Sequence, residues 1–182
     1  MTAVSAALGV VLAAVPAFGG VAPASLPAYW WFLAATMVFV ITDLDHRRIP
    51  NRITYPAVAG GVVLLGVAVM VDPGAGSWPR GLVAGLVAFG TFFLLGVAAR
   101  GGLGMGDVKL MGLVGLFLGF RGWDVLFLGV VFGALAGGIP ALVLLLTRKA
   151  GRRDELAYGP PLILGAWSAL AVGERFLVWY LG

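Results

Sequence analysis

The sequence predicts an all-α, polytopic membrane bundle of about seven transmembrane helices. Three observations carry that expectation: 61% of the 182 residues are hydrophobic against 11% charged, the mean hydropathy is +1.04, and the apolar residues gather into long runs broken by charges or Gly/Pro clusters. A soluble chain of this length could not bury such an apolar excess, so the bilayer is the expected solvent. The chain reads as one membrane domain over residues 1–182, with little sequence left for a separate soluble unit.

The runs extend over Ala3–Val21, Leu26–Thr42, Ile53–Val71, Gly81–Ala99, Val108–Phe120, Val125–Leu146 and Leu162–Leu181. The first contains Pro16 and has no Lys or Arg before it, so it reads as a helix and not as a signal peptide. The fifth has 13 residues. At about 1.5 Å each they cover roughly 20 Å of a 30 Å core, which implies an extension through Trp123 or a locally thinned membrane. Gly129, Gly133 and Gly137, and in shorter form Gly81 and Gly85, recur every fourth residue and mark helix faces where a neighbouring backbone comes close. Trp30, Trp31, Trp78, Trp179 and Tyr180 fall near the expected outer ends, as interfacial anchors do.

The basic residues set orientation. Arg47, Arg48, Arg52, Arg100, Lys109, Arg148, Lys149, Arg152 and Arg153 flank alternate connections, and only Arg80, Arg121 and Arg175 fall toward the opposite side. The nine-to-three bias places the first set in the cytoplasm. The same scattering explains a net charge of +4 without nucleic acid, since no basic face forms. Cysteine is absent, which excludes disulfides, a thiol nucleophile and Cys-based zinc sites. His46 is the one histidine and lies beside two arginines, so neither a metal site nor another cofactor is expected.

Two segments place acids and small residues at run ends: Thr42-Asp43-Leu44-Asp45-His46-Arg47-Arg48-Ile49-Pro50-Asn51 and Gly102-Leu103-Gly104-Met105-Gly106-Asp107-Val108-Lys109. Two spans separate Asp43 from Asp107, so a chain that crosses and returns brings both to one membrane face. Two carboxylates a few ångström apart do not both ionise readily, and such a pair holds a general acid and a general base together. It can direct water at a peptide carbonyl without metal or covalent intermediate. The glycines at 102, 104 and 106 permit positive φ and close approach by an extended substrate, and deliver Asp107 to a helix start. Each acid alone has an ordinary alternative: Asp107 as a helix cap, Asp43 as a solvated loop residue. Asp45 rivals Asp43, although residues two apart on a helix cannot both enter one pair.

Asp43-x6-Pro50-Asn51-x2-Thr54, Gly102-x-Gly104-x-Gly106-Asp107-x-Lys109-Leu110 and Tyr158-Gly159-Pro160 before an apolar helix, in that order, resemble the three signature blocks of the type IV prepilin peptidases. The resemblance covers most of the chain from Asp43 onward. It implies that Asp43 and Asp107 are the catalytic aspartates, and that Pro50, Asn51, Gly102, Gly104, Gly106, Lys109, Tyr158, Gly159 and Pro160 shape the site or bind substrate. It also implies prepilin or pseudopilin substrates with short basic leaders, cleaved after a leader-terminal glycine at the cytoplasmic face of the inner membrane. The Gly-x-Gly-Asp motif is shared with presenilins and signal peptide peptidases, whose Tyr-Asp motif is absent here. Longer bacterial relatives carry a cysteine-bearing cytoplasmic insert and methylate the new N-terminus. This sequence has neither insert nor cysteine and is similar to the short peptidase-only members.

Three further features stand apart. Glu174 and Arg175 lie within the last run and either serve a function or snorkel to its outer end. Pro140-Ala141-Leu142 matches a presenilin tripeptide at the level expected by chance in such a helix. A transporter or proton relay is the alternative use of paired intramembrane acids, and would need them nearer the bilayer midplane.

Overall fold

The structure, a computed structural model, describes residues 20–46, 51–98, 104–146 and 159–181. Among the described residues there are six α-helices and no strand: α1 (Leu26–His46), α2 (Asn51–Val71), α3 (Trp78–Ala98), α4 (Met105–Arg121), α5 (Trp123–Leu146) and α6 (Gly159–Leu181), with a 3-10 turn at Pro23–Ser25 leading into α1. The apolar run expected at Ala3–Val21 lies almost wholly outside the described residues. Segments Pro23–Leu44, Asn51–Val71 and Trp78–Ala98 are long and apolar enough to cross a membrane. The helices follow the expected runs because apolar residues in hydrocarbon must satisfy their backbone within the segment.

Helix α4 is the centre of the bundle. It packs against α2, α3, α5 and α6, and Val108, Leu110, Met111 and every residue from Leu113 to Phe120 are buried. Its apolar character on all sides therefore reflects enclosure by protein. This corrects the expectation for the fifth run: the helix gains length at its start, from Met105, and stops at Arg121, with Gly122 extended before Trp123 opens α5. A helix enclosed by its neighbours does not have to match the bilayer by itself.

Close packing runs along two seams of small residues. Between α3 and α4, a Cβ added at Gly81 would lie 2.9 Å from the Leu116 carbonyl oxygen, one at Gly85 would lie 3.0 Å from that of Gly112, and one at Gly115 would lie 2.7 Å from that of Ala84. Between α5 and α6, a Cβ on Gly165 would lie 2.8 Å from the Gly129 carbonyl oxygen. Gly81, Gly85 and Gly129 are thus packing positions, as their spacing suggested.

Aromatic side chains join α1, α4 and α6. The Phe32 ring stacks on Phe117 at 4.4 Å between centroids and meets Trp167 at 5.0 Å. The Tyr29 hydroxyl donates to the Phe117 carbonyl at 3.1 Å, and Trp167 Nε1 donates to Thr36 Oγ1 at 3.2 Å. At one end of the bundle Arg80 holds the C-terminus of α4: Nε donates to Gly119 O at 2.8 Å, and Nη2 to Phe120 O and Arg121 O at 2.9 and 2.6 Å. A cation here satisfies the orphan carbonyls and the negative end of the helix dipole. Of the expected interfacial tryptophans, Trp30 and Trp31 are exposed, and Trp31 and Trp78 donate to Ala57 O and Val62 O, both at 3.0 Å, and tie helices together. The side chains of Trp179 and Tyr180 lie outside the described residues.

The α3–α4 seam makes a direct prediction. Gly115→Val should lower the melting temperature in detergent, since overpacking typically costs about 1–3 kcal/mol. Gly90→Ala, where nothing lies within 4 Å of the added carbon, should be neutral or stabilising by up to about 1 kcal/mol. Equal melting of the two variants would contradict the seam.

Candidate active site

At the end of the bundle opposite the Arg80 clamp, four helix termini meet: the end of α1 and the starts of α2, α4 and α6. Asp43, three residues before the end of α1, is 7% exposed. Its Oδ2 is buried and, among the described residues, meets no donor at full hydrogen-bond geometry. The first residue of α6, Gly159, sits against this carboxyl, and its backbone N–H is the group that favours the carboxylate there. A Cβ on Gly159 would lie 2.6 Å from Asp43 Oδ2. Only glycine leaves room for the acid in this position, and Pro160 then continues the helix at a site where its missing N–H costs nothing.

Asp107 lies in the first turn of α4, whose N-cap is Gly104. The amides of Asp107 and Val108 both donate to Gly104 O, at 3.0 and 3.3 Å. The glycine-rich turn does deliver the acid to a helix start, but without positive φ: Gly104 has φ −63° and ψ 136°, and Gly106 is already helical. At these two glycines the advantage is therefore absence of bulk, and not a left-handed backbone.

The two acids share one electrostatic environment. Asp107 precedes the apolar run that starts at Val108 and stands outside the three crossing segments. Its carboxyl is pushed up from 3.8 to about 6, first by burial and then by the negative charge of Asp43. The helix dipole at the N-terminus of α4 favours the charged form, yet burial and the partner acid prevail.

Lys109 uses its charge elsewhere. Two residues beyond Asp107 it points to another side of α4, donates to Asn51 Oδ1 at 2.5 Å and lies 6.0 Å from the centre of the Tyr55 ring. It thereby joins the starts of α2 and α4 and heads an apolar groove of about 510 Å³ lined by Tyr55, Val58, Leu86, Phe89 and Gly112. Thr54, also in the first motif, is buried on α2.

Of the site residues expected from sequence, Asp43, Asn51, Gly104, Gly106, Asp107, Lys109, Gly159 and Pro160 thus come together at one end. Pro50, Gly102 and Tyr158 lie outside the described residues, as do Arg148–Asp154 and the side chains of Asp45, His46, Glu174 and Arg175. The seating of Asp43 on Gly159 and the bond from Lys109 to Asn51 were not legible in local spacing, because both join residues far apart in the chain.

The profile of the type IV leader peptidase family matches residues 28–142, a stretch that contains both acids and Lys109. The chain belongs to this family. It is similar to the prepilin leader peptidase/N-methyltransferase of Aeromonas salmonicida, with 30% identity over 179 residues, 97% of this chain and 58% of that protein. The protein of the same description from Stutzerimonas stutzeri is 28% identical over 166 residues, 90% of this chain and 54% of the relative. The one from Bacillus subtilis is 26% identical over 150 residues, 82% and 57% respectively. The chain spans a little over half the length of these curated relatives. No solved structure matches it.

The raised Asp107 carboxyl has a consequence for stability. The folded state holds this proton more tightly than the unfolded chain, so its contribution is fully present below pH 3.8 and is lost as pH rises through about 6. Asp107→Asn should therefore raise the melting temperature in detergent at pH 8, with the gain shrinking as pH falls toward 4. A gain independent of pH would contradict the burial of an ionisable group at this position.

Proposed function

We propose that this chain is a membrane aspartic endopeptidase that removes the basic leader of type IV prepilin or pseudopilin substrates, with Asp43 and Asp107 as the catalytic pair. The observation that carries the reading is the approach of the buried Asp43 carboxyl on α1 to the half-buried Asp107 carboxyl on α4, which is pushed up to about 6 first by desolvation and then by the charge of Asp43. Membership of the type IV leader peptidase family and its similarity to prepilin leader peptidase/N-methyltransferases support it.

Such a pair shares one proton. The ionised carboxylate takes a proton from a water molecule, whose oxygen attacks the scissile carbonyl carbon. The protonated carboxyl supplies a proton to the carbonyl oxygen. The tetrahedral intermediate then collapses with cleavage of the C–N bond: the leaving nitrogen receives the proton that the first carboxylate had taken, and one hydroxyl of the intermediate returns its proton to the second carboxylate, restoring the pair. The exposed Gly104 and the side-chain-free Gly106 leave the rim beside Asp107 open to an extended peptide. Lys109, held by Asn51, shapes the neighbouring edge.

The distribution of Lys and Arg supports a cytoplasmic position for this end of the bundle, with the protein multi-pass in the inner membrane. A basic leader retained in the cytoplasm would meet the acids there. The proposal is confined to the peptidase step and to a cofactor-free reaction.

The test is incubation of the detergent-purified chain with a prepilin-type substrate carrying a basic leader that ends in glycine, read by mass spectrometry. Two fragments that together account for one added water are expected, with and without chelator. Asp43→Asn and Asp107→Asn should each lower the rate by about 10²–10⁴-fold, the usual worth of a general acid or base. Asp45→Asn should retain most activity, and Gly106→Val should slow cleavage with both acids present. Intact substrate after long incubation with the unaltered chain would count against the peptidase. Proton or cation flux in liposomes under the same conditions would favour a transporter.

A further inference from the structure

On the side of α2 away from Lys109, a second groove of about 390 Å³ runs between α1 and α2, lined by Trp31, Ala34, Val38, Pro56 and Ala57 with Arg52 among the walls. Its floor is fixed. The Trp31 indole donates to Ala57 O at 3.0 Å and is seated so closely on α2 that a Cβ at Gly60 would lie 2.6 Å from Trp31 Cε2. Trp31 cannot swing in to fill the trough without giving up both contacts.

The polar features of the groove are concentrated at Arg52. This residue is exposed, in the first turn of α2, at the same end of the bundle as Asp43 and Asn51. Its guanidinium carries a permanent charge and five donors. One end of an apolar trough thus carries a permanent cation. A ligand that complements both features has an anionic group and a hydrocarbon chain. A single acyl chain suits an apolar trough of this volume between two helices.

We propose that this groove binds one anionic glycerophospholipid from the leaflet at the acid end. The phosphate lies on the Arg52 guanidinium, and one acyl chain lies along Trp31, Ala34 and Val38. Basic clefts between membrane helices are known places for anionic headgroups. The site is separate from the acid pair and does not depend on the peptidase reading.

Native mass spectrometry of the full chain in detergent tests this, with phosphatidylglycerol and phosphatidylcholine of identical acyl chains as probes. Phosphatidylglycerol should be retained about fivefold better, the equivalent of one basic residue at an anionic headgroup. Arg52→Gln should abolish that preference. Ala34→Phe fills the trough at an exposed position and leaves Arg52 untouched, so it should lower phosphatidylglycerol retention even where Arg52→Gln does not fold. Equal retention of the two lipids, a preference that survives Arg52→Gln, or unchanged retention in Ala34→Phe would each overturn the proposal. Displacement by millimolar inorganic phosphate would do so as well, by showing a headgroup site without a chain.

Discussion

Enclosure of α4 is the constraint on which the rest of the structure depends. A helix surrounded by other helices can be approached closely only where side chains are small, and the glycines and alanines facing one another across α3 and α4 provide that approach. The aromatic cluster of Phe32, Phe117 and Trp167 ties α1 and α6 to the remaining faces. Once those contacts are made, the depth of α4 is set, and with it the height of Asp107 relative to Asp43. Arg80 holds the far terminus of α4 through three backbone carbonyls. The register of the acid end is therefore held from both ends of one short helix.

The acid end itself is built against stability. Asp43 keeps a buried oxygen that meets no donor at full hydrogen-bond geometry among the described residues, and Asp107 retains its proton above the ordinary range. Buried polar groups without partners are rare in folded proteins and tend to mark function. Lys109, the cation closest in sequence, is bonded to Asn51, so α4 does not use it to neutralise its own acid. A salt bridge there would lower the Asp107 carboxyl into the ordinary range and remove the shared proton on which acid–base chemistry by two carboxyls relies.

Much of this was legible in the chain itself, for identifiable reasons. Apolar run length marks helices because hydrocarbon leaves the backbone few alternatives. Two intervening spans return the chain to one face, which brings the ends near Asp43 and Asp107 together. The environment of the fifth run was not legible, because a helix facing protein and one facing lipid are both apolar. The positive φ expected of the glycine turn failed at Gly104 and Gly106 for a different reason: glycine is equally useful where bulk must be absent, and composition does not separate the two uses. Trp31 and Trp78 were expected as interfacial anchors, and their indole N–H groups also tie neighbouring helices through carbonyls that sequence spacing did not announce. The partners of Asp43 and Lys109 belong to other helices, and no local pattern announces them.

The central claim is that the carboxyl-bearing ends of α1 and α4 face each other. Because the chain contains no cysteine, it can be tested in native membranes with Asp43→Cys and Asp107→Cys in one chain and a short thiol-bridging bismaleimide. The account predicts efficient intramolecular bridging of this pair and none between Asp43→Cys and Arg121→Cys, whose positions lie at opposite ends of the bundle. Failure of positions 43 and 107 to bridge, in protein whose thiols are both reactive toward a monofunctional maleimide, would contradict it.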